Sequence, residues 1–212
     1  MRSLFHFTAA SALAAVALIG AVAGAAGSSI KAAKEAPEGT TVTVEGVVSV
    51  PSGSYDPNDQ GFAIQAGKHA IYIHDSLGGD YLLGQTVTVT GTTGDSFGEV
   101  YGVYPSDIDV TGSHPVHPAK KTRTGDVDED TESTLVRVRA TVLDEVFDDA
   151  PYGWIFHVDD GTGSLTVFVY TGTGIDTSGI EPGDELEITG MSGQFIDHYE
   201  LNPRFQSDIV EL

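Results

Sequence analysis

The chain of 212 residues carries 31 acidic residues against ten lysines and arginines, which gives a formal net charge of −21. Such an excess of negative charge repels phosphates and anionic membranes at long range, and this argues against broad, non-specific DNA binding. Cysteine is absent, so disulfide bonds, thiolate nucleophiles and cysteine-bound zinc are excluded.

The first predicted element is a secretory signal peptide over residues 1–26. Arg2 precedes an apolar run of Ala, Leu and Val, and small residues follow it, so that cleavage is expected after Ala23 or Ala26. A retained membrane anchor is the alternative, but the run is rich in Ala and Gly and lacks a positively charged flank. We therefore expect an exported protein, periplasmic or extracellular, with no stable membrane insertion after cleavage.

An internal repeat follows the signal peptide. The segment TVTVEGVV from Thr41 aligns with LVRVRATV from Leu135, and GFAIQAGKHAIYIH from Gly61 aligns with IFHVDDGTGSLTVF from Ile155, both at an offset of 94 residues. The blocks LLGQTVTVTG and EPGDELEITG continue the match. The repeat predicts two units of about five strands each, over 39–112 and 133–212.

The segment between the units, residues 113–132, is rich in Pro, Thr and charged residues and has no apolar periodicity. This composition predicts an exposed linker rather than a packed element. It contains the densest basic cluster, KKTR at Lys120–Arg123, which the following acidic run DVDED offsets. Its two histidines, His114 and His117, lie among prolines without a third metal ligand nearby.

The stretch VDDGTGSLTVFVY, Val158 to Tyr170, has two interpretations. Its paired aspartates before Gly-Thr-Gly could contribute to a calcium site, but the spacing of an EF-hand loop is absent. The corresponding turn of the first unit, Gln65–His69, contains no carboxylate. A β-hairpin closed by an Asp/Gly turn is therefore the favoured prediction.

The segments EGTTVTVEGVV, DDGTGSLTVFV, the block Gly183–Gly190 and the closing ELNPRFQSDIVEL together resemble OB-fold modules. Such modules occur in tandem in exported bacterial proteins and beside nuclease domains in some secreted nucleases. The resemblance implies an all-β protein of two tandem five-stranded Greek-key OB-like barrels. It also implies a binding function, commonly for nucleic acid and sometimes for protein or sugar, and it does not imply nuclease activity.

Strand alternation divides the side chains of the second unit between two faces. Four valines form the predicted inward set: Val136, Val138, Val167 and Val169. Side chains of the opposite face form the candidate ligand-binding set: Arg137, Arg139, His157, Phe168 and Tyr170. Guanidinium groups beside aromatic rings suit a nucleotide, because rings stack on bases and Arg pairs with phosphate. The equivalent face of the first unit has one Tyr and no cation.

Two functions remain open from the sequence. The first is binding of single-stranded nucleic acid or nucleotides by the second barrel. The alternative is a protein-interaction or scaffold module of the cell envelope with no nucleic-acid ligand, in which Phe168 and Tyr170 pack against a partner or the neighbouring barrel. No residues form a recognisable catalytic arrangement, so the protein is predicted not to be an enzyme and to need no metal or cofactor.

Overall fold

The computed structural model describes residues 27–55, 61–74, 77–96 and 99–212. The predicted signal peptide, residues 1–26, lies outside the described residues. Within the described part of the chain, no helix has the length and apolar character needed to cross a membrane.

The first unit is a closed five-stranded barrel with the strand order β1-β2-β3-β5-β4. Its elements are the helix α1 (Ile30–Lys34) and the strands β1 (Thr41–Val50), β2 (Phe62–Ala66), β3 (His69–His74), β4 (Gln85–Ser96) and β5 (Glu99–Ser113). All neighbouring strands are antiparallel except β3 and β5, which are parallel. This closed Greek-key arrangement confirms the all-β, OB-type barrel predicted from the sequence.

The helix α1 belongs to the first unit, although the sequence boundary was placed at residue 39. Ser29 caps the helix by accepting a hydrogen bond from the backbone N–H of Ala32, 3.1 Å away. Ile30 and Ala33 are fully buried in the apolar cluster that fills the barrel. A single turn of helix carries too few apolar residues to show a periodic pattern, which is why the sequence did not reveal it.

The second unit contains eight strands. They are β6 (Lys120–Lys121), β7 (Leu135–Val142), β8 (Phe147–Asp149), β9 (Gly153–Asp159), β10 (Leu165–Tyr170), β11 (Glu185–Phe195), β12 (His198–Asn202) and β13 (Ile209–Glu211). Neighbouring strands pair in the order β7-β9-β10-β12-β11, and β11 also pairs with β7. The predicted hairpin is confirmed, because β9 and β10 are antiparallel neighbours around the Asp/Gly turn.

Residues 113–123 are exposed or half-buried, whereas the second half of the segment 113–132, from Thr124 onward, is packed in part, which its composition did not predict. Its strand β6 pairs in parallel with β7, and Thr124, Val127 and Glu132 are buried. Hydrogen bonds hold this part of the segment against the second unit. Asp160, in the β9–β10 turn, accepts hydrogen bonds from the hydroxyl and the backbone N–H of Thr124. Apolar periodicity does not detect a segment that is held by hydrogen bonds.

The two units meet in a small apolar and aromatic junction. The Tyr55 ring stacks on Tyr170 of the second unit at a centroid distance of 4.9 Å, and its hydroxyl donates a 2.9 Å hydrogen bond to the carbonyl of Asn202. Arg204 of the second unit donates from Nη1 to the carbonyl of Ser49 at 2.8 Å. The outer face of β2 in the first unit is therefore covered near Ala63, which is fully buried.

Candidate functional site

The inward and outward faces of the second unit follow the alternation of its strands. All four predicted core valines are buried: Val136, Val138, Val167 and Val169. The five candidate binding residues occupy the opposite parity and are at least partly accessible: Arg137, Arg139, His157, Phe168 and Tyr170. The five side chains do not share one site, however: His157 lies diagonally next to Phe168 on this face, whereas Arg137 and Arg139 lie beyond the other end of β9.

The two arginines share one carboxylate. Arg139 Nε donates to Glu187 Oε2 at 2.6 Å, and Arg137 Nη1 lies 3.4 Å from Glu187 Oε1. The hydrogen bond from Arg139 and the charges of both arginines hold the pKa of Glu187 below its usual value. One of the two positive charges is thus neutralised. The side chains of Arg137 and Arg139 remain 35% and 68% exposed.

His157 is engaged by a loop carboxylate. Its ring Nδ1 lies 2.7 Å from Asp144 Oδ2, and its backbone N–H donates to Asp144 Oδ1 at 2.8 Å. This arrangement fixes the loop that follows β7 against β9. The contacts of His157 with Asp144 therefore give this side chain a structural role.

Phe168 and Tyr170 pack against each other and against the first unit. Their rings meet edge to face at a centroid distance of 4.5 Å, and Tyr170 continues the stack onto Tyr55 of the first unit. Of the two roles that the sequence left open for Tyr170, the structure shows contact with the neighbouring unit.

Strand register explains why the arginines and the aromatic pair lie apart. Strand β7 pairs with β9 only at Thr141 and Val142, opposite Asp159 and Val158, beside the Asp/Gly turn. Phe168 lies opposite Ile155, toward the other end of β9. Two residues separate Arg139 from Thr141 and four separate Asp159 from Ile155, which amounts to about 20 Å at about 3.3 Å per residue. One nucleotide cannot contact both groups.

The structure instead adds new cations to the arginine pair. Strand β6 places Lys121 directly opposite Arg137. Two adjoining depressions, of about 280 and 380 Å³, lie along this side of the unit. We call their five cations the basic edge: Lys120, Lys121, Arg123, Arg137 and Arg139. The basic edge holds half of the ten lysines and arginines of the chain.

The charge of the basic edge stays positive after its carboxylates are counted. Five cations stand against Asp126, Asp160 and Glu187 in the two depressions, which leaves a local sum of +2. Arg123 is held by Asp126 through two hydrogen bonds of 2.7 and 3.0 Å. Among the described residues, neither Lys120 nor Lys121 has an ion-pair partner within 4 Å. The KKTR motif was visible in the sequence, but its pairing with β7 was not.

Metal ligands do not cluster in the part of the chain that the structure describes: no three His, Asp or Glu side chains there are close enough to share an ion. The rings of His114 and His117 stack 5.9 Å apart.

No family model matches the chain, and no curated protein matches it at a significant level. Among solved structures, an OB domain from Methanosarcina mazei is 15% identical with a TM-score of 0.39, and the alignment covers 45% of this chain and 86% of that one. The hypothetical protein ygiW from E. coli is 16% identical with a TM-score of 0.33, covering 45% and 91%. Fission yeast Pot1, solved with ssDNA, is 10% identical with a TM-score of 0.41, covering 88% of each chain.

These similarities are weak, so the class of the protein rests on its own topology. A closed five-stranded barrel with one parallel pair between its third and fifth strands defines an all-β protein with an OB-type barrel.

Proposed function

We propose that this protein is an OB-fold binding module whose basic edge binds the phosphate groups of single-stranded nucleic acid. The single observation that carries the proposal is the pairing of β6 with β7, which gathers half of the cations of a strongly acidic chain on one side of the second unit. Lysine ammonium groups act as point charges toward phosphate, and the accessible guanidinium of Arg139 adds a planar donor.

The proposed binding is weak and independent of base sequence. The basic edge contains no aromatic ring among its cations, because Phe168 and Tyr170 lie about 20 Å away by strand register. Contacts to phosphate position a strand without reading its bases. The three carboxylates of the two depressions and the net charge of −21 oppose the approach of a polyanion and reduce its affinity further.

We further propose that the protein is exported, to the periplasm or the medium, after cleavage of residues 1–26. The packing of α1 supports a site no later than Ala26, because Ile30 and Ala33 belong to the barrel core and Ser28 donates to the carbonyl of Thr43. Expression in a bacterial host followed by mass determination of the protein in the periplasm and medium tests this. A single species beginning after Ala23 or Ala26 is expected, and a full-length protein retained in the cells would contradict it.

The nucleic-acid proposal is tested by fluorescence anisotropy with a labelled 15-nucleotide oligo-dT at 50 to 200 mM salt. The test variant is Lys120→Gln with Lys121→Gln, and the matched control is Lys31→Gln with Lys68→Gln, which removes the same charge elsewhere. Each phosphate contact to single-stranded DNA contributes about −0.7 to the slope of log K against log salt concentration. We expect the test variant to bind at least tenfold more weakly at 50 mM salt, with a slope shallower by about 1.4.

Three outcomes would refute the proposal or change the ligand that it assigns to the basic edge. Absence of any anisotropy change with the wild-type protein at 50 mM salt would refute binding. Equal losses in the two lysine variants would show that only net charge matters. ATP that competes at an equal concentration of phosphate would identify a nucleotide, not a strand, as the ligand of the same edge.

A further inference from the structure

A second surface of the same unit carries an apolar row across three strands. Phe147 on β8 lies opposite Ile155 on β9, and Ile155 lies opposite Phe168 on β10. Directly paired residues project from the same side of a sheet, so these three side chains form one continuous row on the outer face. We call Phe147, Ile155 and Phe168 the apolar row.

The apolar row is closed at one end and open at the other. Phe168 contacts Tyr170, which stacks on Tyr55 of the first unit, so the inner end is covered by the junction. At the outer end, the Phe147 side chain is 62% exposed, and β8 pairs only with β9. Tyr152, in the turn between β8 and β9, is 67% exposed as well. A continuous row of apolar side chains with an exposed end marks an interaction surface.

The charge around the apolar row has one sign. Asp149 lies two residues from Phe147 on β8 and therefore on the same side of the strand, and Asp144 contacts His157, two residues from Ile155 on the outer face of β9. No Lys or Arg occurs in the sequence between Arg139 and Arg204. Phosphate is therefore repelled from this surface, although its rings resemble a stacking platform. A positively charged partner is the occupant that complements it.

We infer that the apolar row and the carboxylates of Asp144 and Asp149 beside it form a docking surface for a basic segment of a partner protein. An aliphatic or aromatic side chain of the segment covers Phe147, while flanking lysines or arginines reach the carboxylates of Asp144 and Asp149. This surface is independent of the basic edge, and the inference does not rest on nucleic-acid binding.

The test uses a synthetic peptide, KKLKLKK, and isothermal titration at 150 mM salt, with KKAKAKK as the apolar-deficient control peptide. Phe147→Ala removes the exposed end of the row, and Phe195→Ala, also exposed at 43% but on β11, is the matched control. Asp144→Asn with Asp149→Asn is compared with Asp197→Asn with Glu211→Gln in the same way. We expect the Phe147 variant to weaken KKLKLKK binding at least fivefold and the acid pair at least threefold, with less than twofold changes in both controls.

Several outcomes of the peptide titration and its companion measurements would contradict the inference. Equal binding of KKLKLKK and KKAKAKK, or equal losses for Phe147→Ala and Phe195→Ala, would reduce the effect to general charge attraction and overturn the inference. A dimer in sedimentation that Phe147→Ala dissociates would assign the surface to a second copy. Loss of oligo-dT binding in Phe147→Ala would assign it to nucleic acid. Circular dichroism of each variant verifies folding, which the exposure of Phe147 favours.

Discussion

Replacement of Lys34 by Met tests whether the segment 113–132 is structurally tied to the first unit. Lys34, in α1, places its Nζ 2.9 Å from Glu132 Oε1 and donates to the Glu132 carbonyl at 3.2 Å. The Glu132 side chain is fully buried and that of Lys34 is 15% exposed. The variant keeps the length and apolar stem of the side chain but removes the cation that neutralises a buried carboxylate.

The size of the effect follows from this burial. Removing one partner of a buried ion pair costs about 3–5 kcal/mol, and the partial exposure of Lys34 places the expected loss near 3 kcal/mol. An exposed pair on the same helix provides the control: Lys31 and Glu35, at 2.9 Å, are 59% and 63% exposed. Lys31→Met is expected to cost less than about 0.5 kcal/mol, as exposed helical pairs do.

Urea unfolding measures the difference. Trp154, the only tryptophan, reports on the second unit by fluorescence, while circular dichroism reports on both. With a slope of about 1–3 kcal/mol per molar urea, a loss of 3 kcal/mol lowers the midpoint by about 1–3 M. The double variant Lys34→Met, Glu132→Gln is expected to recover most of the loss, because the buried charge has gone. A Lys34 effect no larger than that of Lys31, or a double variant less stable than Lys34→Met, would refute the reasoning.

Two further predictions concern one hydrogen bond between the units and the hydrogen bonds of Asp160 within the second unit. Tyr55→Phe removes the donor to the carbonyl of Asn202 and should cost about 1–2 kcal/mol in urea unfolding while leaving oligo-dT affinity unchanged; a loss of affinity would implicate the junction in binding. Partial burial raises the pKa of Asp160, but hydrogen bonds from Thr162 and Thr124 outweigh it, so that the pKa falls below its ordinary value of 3.8. A carboxyl with a lowered folded-state pKa stabilises the fold above its unfolded pKa and ceases to do so as the pH falls through the folded pKa. Asp160→Asn should therefore lower the melting temperature at pH 7 but not near pH 2, and an equal deficit at both would contradict this.

The sequence was sufficient for everything that depends on local alternation. The period of two places Val136 and Val138 in the core and Arg137 and Arg139 outside, and the Asp/Gly turn specifies the hairpin that ends at Tyr170. These features are fixed by neighbours along the chain and within one hairpin.

Long-range register could not be read in the same way. Whether Arg139 lies beside Phe168 depends on the pairing register of β7 against β9. A change of register by an even number of residues leaves the inward and outward alternation of side chains unchanged, so the alternation does not reveal the register. The pairing of Lys121 with Arg137 likewise joins the two-residue strand β6 to β7, which begins 14 residues later in the sequence, and no apolar pattern predicts it. The candidate residues therefore lie on the predicted face, but the register separates the arginines from the aromatic pair along the strands. The parity of a residue along its strand determines the face, whereas the register between strands determines the distance.

The distribution of charge matters more for this protein than its total. At physiological ionic strength, charges separated by more than about 8 Å are largely screened, so a ligand responds to the residues that it touches. On the basic edge that local sum is +2, whereas residues 140–203 contain no lysine or arginine at all. Strand β9 separates the two regions, with the basic edge beyond its Asp159 end and Phe147 beside its other half. A polyanion and a basic protein segment are thus directed to different ends of one strand, and each is repelled from the surface that suits the other.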